Sequence, residues 1–152
     1  MEPVTNNIQK GENYREQMKR LKKALQMGFN LEAIFIEYAI LEDRLESVIR
    51  HSGKWNYDPG RHVSLEAKVK KIKKMAEEKK GLARKYFSDE LMDSVVQWKE
   101  KRNPLIHALM KQVLQSEEPR EIALEGQEIL KQFKSKADAY NRALAKLNQE
   151  AV

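Results

Sequence analysis

The hexapeptide Arg102-Asn103-Pro104-Leu105-Ile106-His107 holds the residue types that phosphodiester chemistry needs. An arginine guanidinium stays charged at any physiological pH and can clamp two phosphate oxygens. A histidine titrates near neutrality, so it can take a proton from an attacking group or give one to a leaving group. An asparagine can orient the phosphate or the imidazole. On a straight helix Asn103 and His107, four apart, share one face. Arg102 points about 140° away from His107 and reaches it only through its long side chain. Pro104 is expected to kink the helix or restart it.

Each of these residues also has a purely structural use. Asn followed by Pro is a good helix start, with Asn103 as the cap and Pro104 as the first helical residue. His107 suits a hydrogen-bonded core position. Arg102 suits a surface position with its stem on Trp98. A similar spacing recurs from Arg44 to His51. Spacing alone therefore does not separate the two readings.

The elements that must position these residues read as helices. Glycine and proline are scarce and fall between apolar-periodic segments. A first helix is expected over Asn13 to Met27, ended by Gly28. A second runs from Leu31 to about Arg50, with Ile34, Leu41 and Val48 seven apart and apolar residues on other faces too, which marks it as central or as part of a subunit interface. Residues His51 to Val63 read as a loop with an Asp58-Pro59-Gly60 turn. Ser64 caps a helix to about Lys79, in which Leu65, Val69, Ile72 and Met75 form the apolar stripe and the lysines face away. Ser88 starts a helix carrying Leu91, Val95 and Trp98. The segment after Pro104 is helical to about Gln115, and a last helix runs from about Pro119 to Leu147. The expected fold is all-α: one domain over 1–152, a bundle of five to six helices with its core at about 12–148.

Composition narrows the function classes. The chain has no cysteine, which excludes disulfides and thiolate metal sites. The first residues lack the apolar run of a signal peptide, and the stretch from Ala33 to Leu41 is too short to span a bilayer, so a cytoplasmic protein with no membrane contact is expected. No phosphate-binding glycine loop or nucleophile elbow is present, and His51 and His62 lack ligand spacing, so neither metal nor cofactor is expected. The net charge of +6 is uneven. Lys68, Lys70, Lys71, Lys73, Lys74, Lys79, Lys80, Arg84 and Lys85 cluster in one stretch, with Lys19, Arg20, Lys22 and Lys23 in another. Such clusters attract polyanions or simply solvate a helix face. Lys70, Lys71 and Lys74 are the candidate phosphate contacts. Trp55 and Tyr57, in a loop that mixes basic and aromatic residues, either stack unpaired bases or pin the loop to the core. Glu37, in the most apolar helix, is either a partnered core carboxyl or a carboxylate facing a functional cleft.

The motif at 102–107, late in a small helical bundle, resembles the hallmark of the HEPN superfamily (higher eukaryote and prokaryote nucleotide-binding domains): Arg, a polar residue that is often Asn, a few apolar residues, then His. The segment Glu37 to Leu45 is similar to the acidic core helix of many members, and Leu65 to Met75 to the basic helix between the two. The resemblance covers roughly residues 30–115. It implies a metal-independent endoribonuclease in which two subunits turn both motifs toward one cleft. The ribose 2′-hydroxyl attacks the adjacent phosphate, leaving a 2′,3′-cyclic phosphate and a 5′-hydroxyl. His107 is then the general acid or base, Arg102 stabilises charge on the phosphate, and Asn103 positions either. Only RNA carries the 2′-hydroxyl. The implied partners are RNA, a second copy of the chain, and a protein regulator or antitoxin in a toxin, defence or RNA-processing role. Leu109 stands where the toxin branch carries a tyrosine, and Pro104 is unusual inside the motif. Two other expectations compete: an idle HEPN-like module that holds RNA or a nucleotide, and a helical protein-interaction adaptor.

Overall fold

The structure, a computed structural model, describes residues 6–78, 81–111 and 117–151. Among the described residues there are six helices and no strand: α1 (Asn7–Met27), α2 (Asn30–His51), α3 (Leu65–Glu77), α4 (Ala83–Tyr86), α5 (Asp89–Ala108) and α6 (Glu117–Glu150). The all-α bundle expected from periodicity is the fold observed.

Local chemistry sets most helix ends. Gly28 ends α1 in the left-handed region (φ 74°), and Phe29 N–H donates to the Ala24 carbonyl at 2.8 Å. That cap lets α1 turn straight into α2. Ser64 and Ser88 cap α3 and α5, accepting from the amides of Ala67 and Leu91. In the Asp58-Pro59-Gly60 turn, Arg61 N–H donates to the Asp58 carbonyl at 3.1 Å, and Gly60 takes a φ of 79°.

Three elements differ from expectation. α1 begins at Asn7, six residues early, because the Asn6 side chain accepts from Gln9 N–H at 2.8 Å and caps a polar first turn. A short helix, α4, precedes Phe87, whose buried ring packs on Phe133 and Tyr140. α5 runs through Pro104 to Ala108 without restarting, so Asn103 lies inside the helix and caps nothing. The helix expected to continue to about Gln115 ends at Ala108, with Leu109 to Lys111 in a turn; Gln115 itself, Lys79 and Lys80 lie outside the described residues.

α2 is the central helix. Its buried residues include Ala33, Ile34, Ile36, Ile40, Leu41, Leu45, Val48 and Ile49. α1 runs antiparallel to it, held by Lys10–Asp43 (3.6 Å) and by Arg44 over the Tyr14 ring. α6 runs parallel to α2: Arg120 donates to the Leu25 carbonyl (2.7 Å) and to Asn30 near the start, and Gly126 meets Glu37 farther on. α5 returns antiparallel along α6, its start (Leu91, Ser94) beside Lys131 and Ser135 and its end (Leu105, Ala108) beside Glu118 and Ile122; Lys101–Glu125 (2.9 Å) and Trp98 Nε1 donating to the Ile122 carbonyl (2.9 Å) join the two. α3 lies across α2 and α5 through Lys68, Lys73–Asp93 and Lys99–Glu66.

Gly126 marks the closest packing. A Cβ there would lie 2.5 Å from Glu37 Oε1 and 2.7 Å from Trp98 Cζ2. A mid-helix glycine ordinarily costs about 1 kcal/mol against alanine; here the alternative is a clash with the buried indole. Gly126→Ala should therefore destabilise the protein by a net of about 1–2 kcal/mol despite the better helix former. Urea denaturation measures it, and an unchanged or raised midpoint would contradict the close packing.

Candidate functional site

Arg102 and Asn103 sit side by side on α5. Arg102 Nη1 donates to Asn103 Oδ1 at 2.9 Å, and the guanidinium lies over the Tyr38 ring, 4.0 Å from its centroid. Its Nε–H is buried without a hydrogen-bond partner. Tyr38 stacks on Trp98 with centroids 6.5 Å apart and planes at 27°. From Gly126 outward the order is therefore Trp98, Tyr38, Arg102, with Glu37 behind. His107 stands in the last turn of α5, exposed, on the Asn103 face and pointing away from Arg102. Within one chain, Arg102 and His107 do not converge.

The repeat of the spacing at Arg44 and His51 has structural duties at both ends. Arg44 pairs with Asp43 at 2.9 Å and covers Tyr14. His51 Nδ1–H donates to the Ser47 carbonyl at 2.8 Å. His107 has no such bond among the described residues.

The other candidates form a second group. Trp55 packs edge-to-face on Tyr57 at 4.8 Å, with Arg50 over the indole at 4.5 Å and Lys68 at 6.0 Å. Lys71 donates to Asn56 in the same loop at 3.1 Å. Arg50 is twelve residues beyond Tyr38 on α2, so this group lies about 18 Å along the helix from Arg102. Lys70 and Lys74 are exposed on α3. The expectation that all the α3 lysines face away from the core is corrected at Lys68. It is buried between Glu42 (3.6 Å) and Glu46 (3.7 Å), because its spacing from Leu65, Ile72 and Met75 puts it on the inward face. Lys73 pairs with Asp93.

Tyr38 and Gly126 went unnoticed as site-forming residues. Gly126, a glycine amid a helical apolar pattern, was the available signal for close approach. Nothing local links Tyr38 to Arg102.

Among the described residues no three His, Asp or Glu side chains converge as a metal site, and no helix is long and apolar enough to cross a membrane. Comparison with protein-family models, curated proteins and solved structures finds no match to the chain. The likeness to HEPN proteins therefore stands on the motif and its helical context alone.

Glu37 is 1% exposed, and neither carboxyl oxygen has a hydrogen-bond partner. It does not face an open cleft. Burial pushes its pKa from 4.5 up to about 9, so the folded protein holds this carboxyl neutral at pH 7. In the unfolded chain it ionises near 4.5, so stability is fully present below that pH and is lost as pH rises toward 9. From 4.5 to 7 the loss is on the order of 3 kcal/mol. Glu37→Gln keeps the shape and removes the titration. Its melting temperature should match the native chain's at pH 4.5 and exceed it increasingly up to pH 8. Parallel curves would show that Glu37 finds a partner or water.

Proposed function

We propose that the protein is a metal-independent endoribonuclease of HEPN type that acts as a homodimer. The observation that carries this reading is the pairing of Arg102 with Asn103, with His107 exposed one turn farther along α5 on the Asn103 face and without a hydrogen bond among the described residues. Arg102 is held by one hydrogen bond and the Tyr38 ring, worth about 1–2 kcal/mol together. Two charge-assisted bonds to a phosphate, at about 1.5–3 kcal/mol each, are enough to draw it off. In this reading His107 takes the proton from the 2′-hydroxyl or gives one to the departing 5′-oxygen, Arg102 holds the phosphate oxygens, and Asn103 orients one of them. The products are a 2′,3′-cyclic phosphate and a 5′-hydroxyl.

Dimerisation is supported by the apolar surface flanking the motif. Phe35 is 68% and Met110 95% exposed, and Leu31, Ile106 and Leu109 are exposed as well. Tyr38 and Arg102 touch, and α2 and α5 run antiparallel. One to two turns from that contact, Leu31 and Phe35 on α2 therefore extend in the same direction as Ile106 on α5 and Leu109 just beyond its end. Two copies pairing there would bring both motifs to one groove.

Purified protein should cleave single-stranded RNA in excess chelator, and a DNA of the same sequence should stay intact. His107→Ala should lower the rate about 100-fold or more at an unchanged melting temperature, since the side chain is exposed. Undiminished cleavage by that variant would exclude His107. Salt-dependent binding without product would instead favour the RNA-holding module. Phe35→Glu should convert a dimer to a monomer in sedimentation and lower cleavage with it; a native chain that sediments as a monomer would remove the paired site.

A further inference from the structure

α1 carries a cationic surface that the proposed cleavage site does not use. α1 packs mainly on α2, leaving a groove of about 560 Å³ beside α6. Half-buried Tyr14 and Met18 form its apolar floor over the buried Leu21, and Arg15, Lys19, Lys22 and Lys131 stand around it. All four cations are exposed, and none takes part in an ion pair among the described residues. Several neighbouring charges are matched: Arg20 with Glu16, Lys10 with Asp43 and Lys134 with Asp138. No acidic residue lines the groove.

The spacing is helical on both counts. Arg15, Lys19 and Lys22 lie four and three apart, a stripe along one side of α1. Tyr14, Met18 and Leu21 repeat that interval one residue earlier. From Tyr14 to Lys22 the groove extends about 12 Å, slightly over two helical turns. A base-stacking role fits poorly, because the only aromatic ring in the groove is covered. Arg44 lies 5.0 Å and Lys134 5.6 Å from the Tyr14 centroid.

We propose that this groove docks an acidic amphipathic helix of a partner protein. Apolar side chains of that helix rest on Met18 and the free edge of Tyr14, and its carboxylates meet Arg15, Lys19, Lys22 and Lys131. The mode is helix-in-groove recognition, with anchors at i, i+3 or i+4, and i+7. The partner's charge is set by the rim, since an uncharged helix would leave four cations unmatched and a basic one would be repelled. The inference rests on neither the motif nor RNA binding.

The test uses the full chain and a labelled three-turn peptide with leucines at i, i+3, i+4 and i+7 and glutamates on both flanks. Fluorescence anisotropy should report saturable binding, and the Met18 methyl resonance should shift on titration. Lys19→Glu combined with Lys22→Glu should weaken binding about tenfold or more, each reversal turning an attraction into a repulsion. Arg84→Glu combined with Lys85→Glu, exposed on α4, should leave it unchanged. Circular dichroism checks that both variants fold. The proposal is overturned by absence of binding, by equal binding of a scrambled peptide of the same composition, or by indifference to the α1 reversals. Oligouridine that displaces the peptide, and that itself loses affinity on the α1 reversals, would make the groove a nucleic-acid surface and overturn it as well.

Discussion

The approach of α2, α5 and α6 at Gly126 fixes the geometry on which the rest depends. With no side chain at Gly126, the Trp98 indole lies against α6 and donates to the Ile122 carbonyl. The indole then stacks with Tyr38, and Tyr38 carries the Arg102 guanidinium. The position of the arginine is thus set by a glycine on another helix, through two aromatic rings. Glu37 fills what is left beside the indole, at a cost. An unpaired neutral carboxyl in the interior is unfavourable by about 1–3 kcal/mol, and an ionised one by considerably more. The protein keeps it neutral and accepts a stability that declines as pH rises.

Charge is distributed by structural duty as much as by sequence density. The α3 stretch holds the densest run of lysines, yet Lys68 is buried between two glutamates, Lys73 and Asp93 bridge α3 to α5, and Lys71 holds the loop at Asn56. These cations tie helices together. On α1, by contrast, Arg15, Lys19 and Lys22 face outward across a groove that no acidic residue lines. Net charge counts both alike. What distinguishes them is whether an acidic side chain on a neighbouring helix lies within reach.

Much of the fold was legible because it is encoded locally. Ser64, Ser88 and Gly28 mark helix ends by hydrogen bonds within a few residues, and the apolar periods of α2 and α6 fall where those helices are buried. The early start of α1 was missed because Asn6 caps a polar turn containing Gly11, which has no apolar period to announce it. A proline removes one backbone donor and so suggests a kink or restart at Pro104; the helix nevertheless continues for one more turn to Ala108. The candidate site was legible only in part. Arg102, Asn103 and His107 could be named from type and spacing. The ring beneath Arg102 is 64 residues away in sequence, and only the packing brings it there. Lys68 was readable in principle, since its interval from Leu65, Ile72 and Met75 is that of the buried face.

Helix geometry also bears on the proposed chemistry. Five residues along an α-helix turn a side chain by about 140° and carry it about 7.5 Å. On one unbroken α5, Arg102 and His107 therefore meet at one phosphate only through the length of the arginine side chain. Had the helix restarted at Pro104, the angle would have been free; because it does not, the two groups diverge. Exposed apolar side chains lie on α5 within the motif, Ile106, and on the neighbouring α2, Phe35. A lone chain leaves that surface in water and its arginine and histidine facing different ways. In the proposed dimer a second copy would cover that surface and offer its own histidine to the first chain's arginine.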